Sequence, residues 1–585
     1  MTPAKKQSPQ PSVVSGREWA WVAVASLLVM ALVSVPYVVG LAHSTPQMQF
    51  GGFLFGLDDM HSYLAKMRFG ARDGWLLQLV YTGEPHVGGV AYAHFLALGK
   101  LAALISGEGA HVSARALVIA YHAARIACGL LLLAVLYRFG AEFLGKPSQR
   151  RLAWALAALA GGLGWVPLVL SPAGEAALPV EFYVPEAFGI LSLYGLPHLA
   201  LARALLLGGW LLLFRAEERC RVGHAAAAGL LWGGVSVIVP FYAALLGVLI
   251  AARLAGLWII QRRAPWAQVQ IAALAGALPA ASLAYNAWLF SSNPVFAAWS
   301  AQNLLASPPP GDYLLAYGLL VALAIPGAVG LARAGGGAQP VTPTLTLPLQ
   351  GGGENRAGQG NGLSSRRLLL LIWPPLGLLL AYAPVNVQRR LLEGVIVPLS
   401  ILAALGVWRL LGERPASGKA AGWRLRQIGL AALIMLCFPS TVLLLAGGAL
   451  TAARPAWPIY HPADEIEALR WLDQHAPPDS LVLATFESGN VIPAYAGVRV
   501  YVGHGPETLR ATLKRQQAQA FFLGGMTNGT RRALLREAGI DYVWIGPPEQ
   551  LSACSATCFN APLLGLEPVY QGGRYAIYAV REDSP

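Results

Sequence analysis

Two adjacent acids, Asp58 and Asp59, open the stretch of this sequence best equipped for chemistry, FLFGLDDMHSYLAKMRFGARDGW. From Met60 onward, Met60, Tyr63, Leu64, Met67 and Ala71 recur at helical spacing, with Lys66 and Arg68 between them. The pattern predicts an amphipathic helix lying along a lipid surface. Such a helix would hold the acid pair where a membrane-bound substrate meets water. A plainer reading is open for Asp58, because Asp is a good helix N-cap and acids in a first turn suit the helix dipole.

A second group is Gln388-Arg389-Arg390 with Glu393. Arginine binds phosphate in a forked, two-pronged way, and a charge at a membrane edge needs an acid or a lipid phosphate as partner. An ion pair with Glu393 is the alternative. Two further polar pieces do not fit a simple helical bundle. They are Glu84-Pro85-His86, and Tyr183 to Phe188 with Glu186, His198 and Arg203.

The elements that must position these residues are membrane helices. The 585 residues are 56% hydrophobic and only 12% charged, with a mean hydropathy of +0.52. A soluble domain carries about 25% charged residues, and several apolar runs reach the length of a membrane span. The net charge of +13 comes largely from Lys and Arg in short connecting loops, which read as topology determinants and not as a nucleic-acid surface. Spans are expected near 19–41, 113–137, 150–171, 197–215, 225–240, 241–259, 268–290, 313–333, 367–384, 392–411 and 428–450. Loop charge makes 1–18 a cytoplasmic tail and 42–112 a first external loop, with 87–105 interfacial or re-entrant. Residues 334–365, rich in Gly, Pro, Thr and Gln, are expected to be a disordered cytoplasmic loop.

From about 451 the composition changes. Helical patterns over 464–475, 507–523 and 530–538 alternate with strand patterns at 480–484, 499–502, 542–545 and 575–580. This predicts an extracytoplasmic α/β domain over 451–585. Its turn Gly503-His504-Gly505-Pro506-Glu507 is either an anion site at a helix start or a plain strand-to-helix connection. Cys554 and Cys558 could pair in an oxidising compartment, whereas Cys128, Cys220 and Cys437 read as small apolar residues. His86 and His198 match no metal-ligand spacing and read better as hydrogen-bonded interfacial histidines.

LDDMHSYLAKMRFGARDGW resembles the first-loop motif, and QRRLLEGVIVPLSILAA a late-span motif, of bacterial members of the GT-C superfamily. These are integral-membrane glycosyltransferases, including the dolichyl-phosphate-mannose protein mannosyltransferases and the lipid-A aminoarabinose transferases. The resemblance implies about eleven transmembrane helices in 19–450 and a sugar donor on a polyprenyl phosphate. It also implies inversion at the anomeric carbon, with a first-loop acid as general base or as the group that orients the acceptor. Carried onto this chain, that acid is Asp59 or Asp58, with Asp59 preferred because Asp58 has the competing task of N-cap. Arg389 and Arg390, with Lys66 and Arg68, would hold the donor phosphate. Glu84, His86, Glu186, His198 and Gln388 would contact sugar or acceptor, which is lipid, glycan or protein. No metal site is assigned, and the resemblance leaves a divalent cation, Mg or Mn, open. The protein mannosyltransferase branch pairs Asp with Glu, where this chain has two Asp. The composition, with its bias of Arg over Lys, suggests a bacterial inner membrane, and the charge of 1–18 places the N-terminus in the cytoplasm.

Two other classes are open to a chain of this kind. A transporter or flippase should show repeated halves and interrupted helices at matching positions, and neither is legible. A non-catalytic scaffold with an envelope-binding domain would keep working after its acids were neutralised.

Overall fold

The computed structural model describes residues 13–171, 177–219, 221–335, 361–412, 420–523, 525–552 and 561–581. The expected insertion falls largely at 336–360 and, like Cys220, Cys554, Cys558 and the first twelve residues, lies outside the described residues.

Eight helical stretches among the described residues are long and apolar enough to cross a membrane: Gly16–Ala42, Ala114–Gly140, Pro197–Arg219, Phe241–Gln261, Trp266–Ser292, Pro310–Arg333, Gln388–Leu411 and Gly422–Ala452. The other three expected spans take different forms. Val222–Ile238 is a helix of only 17 residues, and Asn361–Leu380 carries Pro374 and Pro375. Residues 150–171 do not form one helix: Pro147–Leu159 stops at Gly161-Gly162-Leu163-Gly164, and a short helix, Trp165–Leu170, follows. Buried Glu181 satisfies the freed backbone, accepting from the amides of Gly162 (3.1 Å) and Gly164 (2.8 Å).

The chain divides into two compact units. One gathers residues up to Val33, Arg125–Ala284 and Leu305–Leu444; the other holds Ser34–Ala124, Tyr285–Leu304 and the chain from Leu445 on. In the first unit, helices Pro310–Gly335 and Ile396–Leu411 pack closely because Gly327 and Gly406 each face the other helix's main chain.

The second unit joins the first loop to the C-terminal α/β part. Strand β1 (Met48–Phe50) pairs antiparallel with β2 (Tyr460–Pro462). The main sheet contains β3 (Leu481–Leu483), β4 (Arg499–Val500), β5 (Tyr542–Ile545), β6 (Leu566–Gly572) and β7 (Tyr575–Val580), in the order β4-β3-β5-β7-β6. Pairing is parallel among β4, β3 and β5, and antiparallel from β5 to β7 to β6. Helices Ala463–His475 and Phe486–Tyr495 cover one face, burying Leu469, Leu472, Val491 and Ile492 with Tyr81 of the first loop. Helices Ala511–Leu523 and Asn528–Ala538 cover the other through Phe521, Phe522 and Leu535. Helix Phe486–Tyr495 and strand β6 were not expected, and the helix expected from residue 507 begins at Ala511.

The acid-bearing helix is Leu57–Arg72, and the segment expected at 87–105 contributes helix Ala93–Ser106 against it. Fourteen residues give about 21 Å, short of the ~30 Å hydrocarbon thickness. Gly99 abuts the Met67 carbonyl and Gly70 abuts the backbone of Leu96, so the two helices touch through main chain. Gly99→Leu should force them apart and destabilise by about 1–3 kcal/mol, measured as a drop in unfolding temperature of the purified protein. An unchanged transition would show that the contact is not tight.

Candidate functional sites

The helix Leu57–Arg72 starts at Gly56, which takes the left-handed conformation (φ 55°) that glycine adopts without strain. Gly56 is the N-cap and no side chain caps the helix, which corrects the reading of Asp58 as the cap. Asp58 and Asp59 stand exposed in the first turn, over a buried face of Met60, Leu64 and Met67. Asn490 of helix Phe486–Tyr495 anchors this end, donating from Nδ2 to the Asp58 carbonyl (3.3 Å) and accepting from Nδ1 of buried His61 (2.7 Å).

The two acids differ in their partners. Asp59 Oδ1 lies 3.2 Å from Nε2 of His504. The Asp58 carboxylate has no hydrogen-bond or ion-pair partner among the described residues. Desolvation raises its pKa, and the charge of Asp59 adds to this, while His504 works against it. His504 is buried in the turn after β4, and its Nδ1 faces Glu507 Oε1 at 3.4 Å. Burial alone would lower the His504 pKa, but the carboxylates of Glu507 and Asp59 outweigh it and raise it to about 9. Because this value lies above the ordinary 6.5, the ion pairs of His504 stabilise fully below pH 6.5, and that stability is lost as pH rises through about 9. The unfolding temperature of wild type should therefore fall across that window more steeply than that of His504→Gln. Parallel curves would show that His504 is not charged there.

Lys66 and Arg68, expected to bind phosphate from the lipid surface, are instead buried and paired. Each is only 2% exposed. Lys66 Nζ sits 2.6 Å from Glu507 Oε1, is hydrogen-bonded to Ser62, and lies 4.4 Å from the Tyr92 ring centre. Ser62 Oγ donates to the same Glu507 oxygen (2.9 Å). Arg68 reaches Asp473 (3.3 Å) and the Ala494 carbonyl (3.2 Å). Neither cation is left for a lipid phosphate, and the helix is not a lipid-facing one: its basic residues point into protein.

Glu84 meets Lys514 (2.7 Å), Arg510 (3.4 Å) and Thr82. Burial opposes its ionisation, yet Lys514 and Thr82 hold its pKa below the ordinary value. His86 Nε2 accepts from the Leu79 amide and Nδ1 donates to the Glu84 carbonyl, each at 2.9 Å, so its ring pins a loop. Glu84 ties the first loop to the C-terminal part, and His86 fastens the loop on itself.

The arginine pair lies in the first unit, on the 3-10 turn Gln388–Leu392. Glu393 is not its partner. That carboxylate is gripped by Arg203 through two prongs, Nε to Oε1 and Nη2 to Oε2 (3.0 Å), and by the Tyr242 hydroxyl (2.6 Å). Arg203 also donates to the carbonyls of Pro185 and Glu186 (3.1 Å each). Arg390 lies over the Phe241 ring at 5.3 Å, with Nε 3.8 Å from Glu186 Oε1. Arg389 lies 5.8 Å from the Tyr183 ring centre, and its Nε has no partner among the described residues. The second oxygen of Glu186 is likewise unpartnered among them. Gln388, with its amide oriented to satisfy both ends, bridges the Ala383 carbonyl (2.9 Å) and the Ser307 amide (3.2 Å). His198 is buried in the first turn of helix Pro197–Arg219. The result is a half-buried pair of guanidinium groups seated on aromatic rings, beside one under-satisfied carboxylate.

Among the described residues no three His, Cys, Asp or Glu side chains converge as a metal would require.

Residues 386–582 match the model of DUF6541, a family of unknown function. No curated protein matches the chain. Solved structures do match. The apo oligosaccharyltransferase of Archaeoglobus fulgidus superposes with a TM-score of 0.54 at 13% identity, over 97% of this chain and 75% of that one. The same enzyme, AglB, in complex with an inhibitory peptide and a dolichol-phosphate gives 0.50 at 12% identity, over 98% and 75%. With a tethered acceptor peptide containing the NVT sequon it gives 0.50 at 13% identity, over 88% and 69%. These likenesses define the class: this chain is a polytopic helical protein with the GT-C fold and a C-terminal sheet-containing part.

Proposed function

We propose that the protein is a membrane glycosyltransferase that moves a sugar from a lipid-phosphate donor to an acceptor on the extracytoplasmic side of a bacterial inner membrane. The observation that carries this reading is the exposed acid pair at the start of an otherwise buried helix, in a chain of GT-C fold. A carboxylate at this helix end, whose main chain Asn490 anchors, takes the proton of an attacking hydroxyl or amide. The anomeric carbon is inverted as its bond to phosphate breaks. Arg389 and Arg390, half-buried and seated on aromatic rings, suit a donor phosphate by their chemistry, whereas Lys66 and Arg68 are taken up by Glu507 and Asp473. Glu186, beside Arg390, is the remaining candidate for a sugar contact. The acceptor is a lipid, glycan or protein, and the peptide bound to the archaeal enzyme favours protein.

The test is turnover by the full chain in lipid nanodiscs, offered a panel of radiolabelled polyprenyl-phosphate and polyprenyl-diphosphate sugars with lipid and peptide acceptors. Sugar release or transfer is expected for one donor. Arg389→Ala should lower kcat/KM for that donor by about 10–100-fold, the worth of one hydrogen bond to a charged group. Donor turnover unchanged in Arg389→Ala and Arg390→Ala would remove the arginines from the reading. No turnover of any donor by folded wild type would defeat it altogether.

A further inference from the structure

We propose that His504 divides the labour of the acid pair, fixing Asp59 as a bound counter-charge and leaving Asp58 as the carboxylate that accepts the acceptor's proton. This rests on the glycosyltransferase reading above.

Neighbours on a helix point about 100° apart, so one turn presents Asp58 and Asp59 in different directions. Asp59 is directed at His504 Nε2 (3.2 Å), and the other ring nitrogen faces Glu507 (3.4 Å). A ring protonated on both nitrogens donates to Asp59 and sets its positive charge beside Glu507, which it meets at ion-pair distance without a hydrogen bond. Behind Glu507 stand Lys66 and Ser62, and the Tyr81 ring lies 5.6 Å from the imidazole. The groups facing His504 are therefore Asp59 and, at longer range, Asp58 from the acid helix, Glu507 from its own turn with Lys66 behind it, and Tyr81 from the first loop. Negative charge dominates, which agrees with a histidine that stays charged to about pH 9.

A carboxylate bound to an imidazolium is a weakened base, because the ion pair stabilises its charged form. Asp59 is that carboxylate. Asp58 is held by its main chain through Asn490, its side chain is exposed and unpartnered among the described residues, and desolvation shifts its pKa upward. A base should be held near its substrate and left unengaged by the protein, and Asp58 meets both conditions. In the step itself the acceptor heteroatom forms its bond to the sugar C1 while its proton passes to Asp58. The C1–O bond to phosphate breaks and its electron pair leaves on the phosphate. Asp58 then releases the proton to water, and nothing is oxidised or reduced.

The experiment compares wild type, Asp58→Asn, Asp59→Asn and His504→Gln in nanodiscs between pH 6 and 10. It uses the donor that wild type turns over in the panel. Alongside it, the histidine side chains are titrated by NMR without substrate, the His504 signal being assigned by its loss in His504→Gln. Asp58→Asn should lower kcat by about 10²–10⁴-fold at every pH. Asp59→Asn and His504→Gln should lose less and resemble each other. Wild-type activity should fall to the level of His504→Gln as pH passes about 9, a limb that both of those variants lack. The His504 signal should titrate near 9 in wild type and lower in Asp59→Asn.

Loss in Asp59→Asn equal to or greater than that in Asp58→Asn overturns the division of roles. A His504 signal titrating near 6.5 in wild type overturns the tether, whatever the turnover. Absence of wild-type turnover is a different failure, that of the glycosyltransferase reading, and takes this assignment with it.

Discussion

Arg203→Met should destabilise the protein by about 3–5 kcal/mol, far beyond what a surface ion pair contributes. Arg203 is 1% exposed and Glu393 is fully buried. Removing the guanidinium leaves a buried carboxylate with, among the described residues, the Tyr242 hydroxyl alone to answer it. Glu393→Gln should cost less, because the amide keeps an acceptor for Arg203. Arg203→Lys should not rescue, since an ammonium cannot reproduce the two-pronged contact. The double variant Arg203→Met/Glu393→Met should be more stable than Arg203→Met alone, because it removes the orphaned charge. Thermal unfolding followed in detergent or nanodiscs reads all four. The consequence extends to the arginine pair. Arg203 also holds the Pro185 and Glu186 carbonyls, and Glu186 is the acid beside Arg390. Arg203→Met should therefore weaken donor use as well as stability. A melting transition within about a degree of wild type would show that this pair adds nothing.

Much of the fold was legible because membrane helices announce themselves locally. The length and apolar character of 16–42 or 241–261 are visible in any window, and so are the β-branched and aromatic strands at 542–545 and 575–580. What failed locally failed for identifiable reasons. The glycines at 161, 162 and 164 interrupt an apolar run whose hydropathy alone reads as continuous. Helix Phe486–Tyr495 contains Gly489 and Pro493, which lower its helical signal, and is fixed by the Thr485 N-cap and by burial. Charge was the least legible property. Lys66 and Arg68 sit between apolar positions, so sequence spacing assigns them to the wet edge of the helix. Their acids are more than 400 positions away, and only the fold brings them close. Glu393 fails the other way: it is near Arg389 and Arg390 in sequence, but points to Arg203. The acid pair was legible as a pair, but the inequality of its members was not, because it comes from His504. The glycines of the Gly503–Glu507 turn mark it in the sequence as a connection or an anion site. Its His and Glu, three residues apart at the end of a strand, were the better signal.

The buried chain from Lys66 through Glu507 to His504 yields the second large expectation. Lys66→Met should cost about 3–5 kcal/mol, because it leaves the Glu507 carboxylate buried with only Ser62 and His504 to compensate. Glu507→Gln should cost a similar amount by stranding Lys66, which keeps Ser62 and the faces of Tyr63 and Tyr92 as neighbours among the described residues. Lys66→Met/Glu507→Met should recover part of the loss, as expected when both members of a buried pair go together. The pH dependence distinguishes this from simple mispacking. Burial alone would raise the Glu507 pKa, but Lys66 and His504 hold it well below its ordinary 4.5. Its contribution is therefore present above pH 4.5 and lost as pH falls below that value. Wild type should lose stability on acidification more steeply than Glu507→Gln, and the two curves should converge at low pH. The same variant should lower the pKa of His504, because Glu507 is the largest charge raising it. The alkaline limb of activity should then move to lower pH with no substitution in the acid helix itself. A Lys66→Met protein that melts like wild type, or a Glu507→Gln protein whose alkaline limb stays in place, would show that the buried charges and the acid pair are independent.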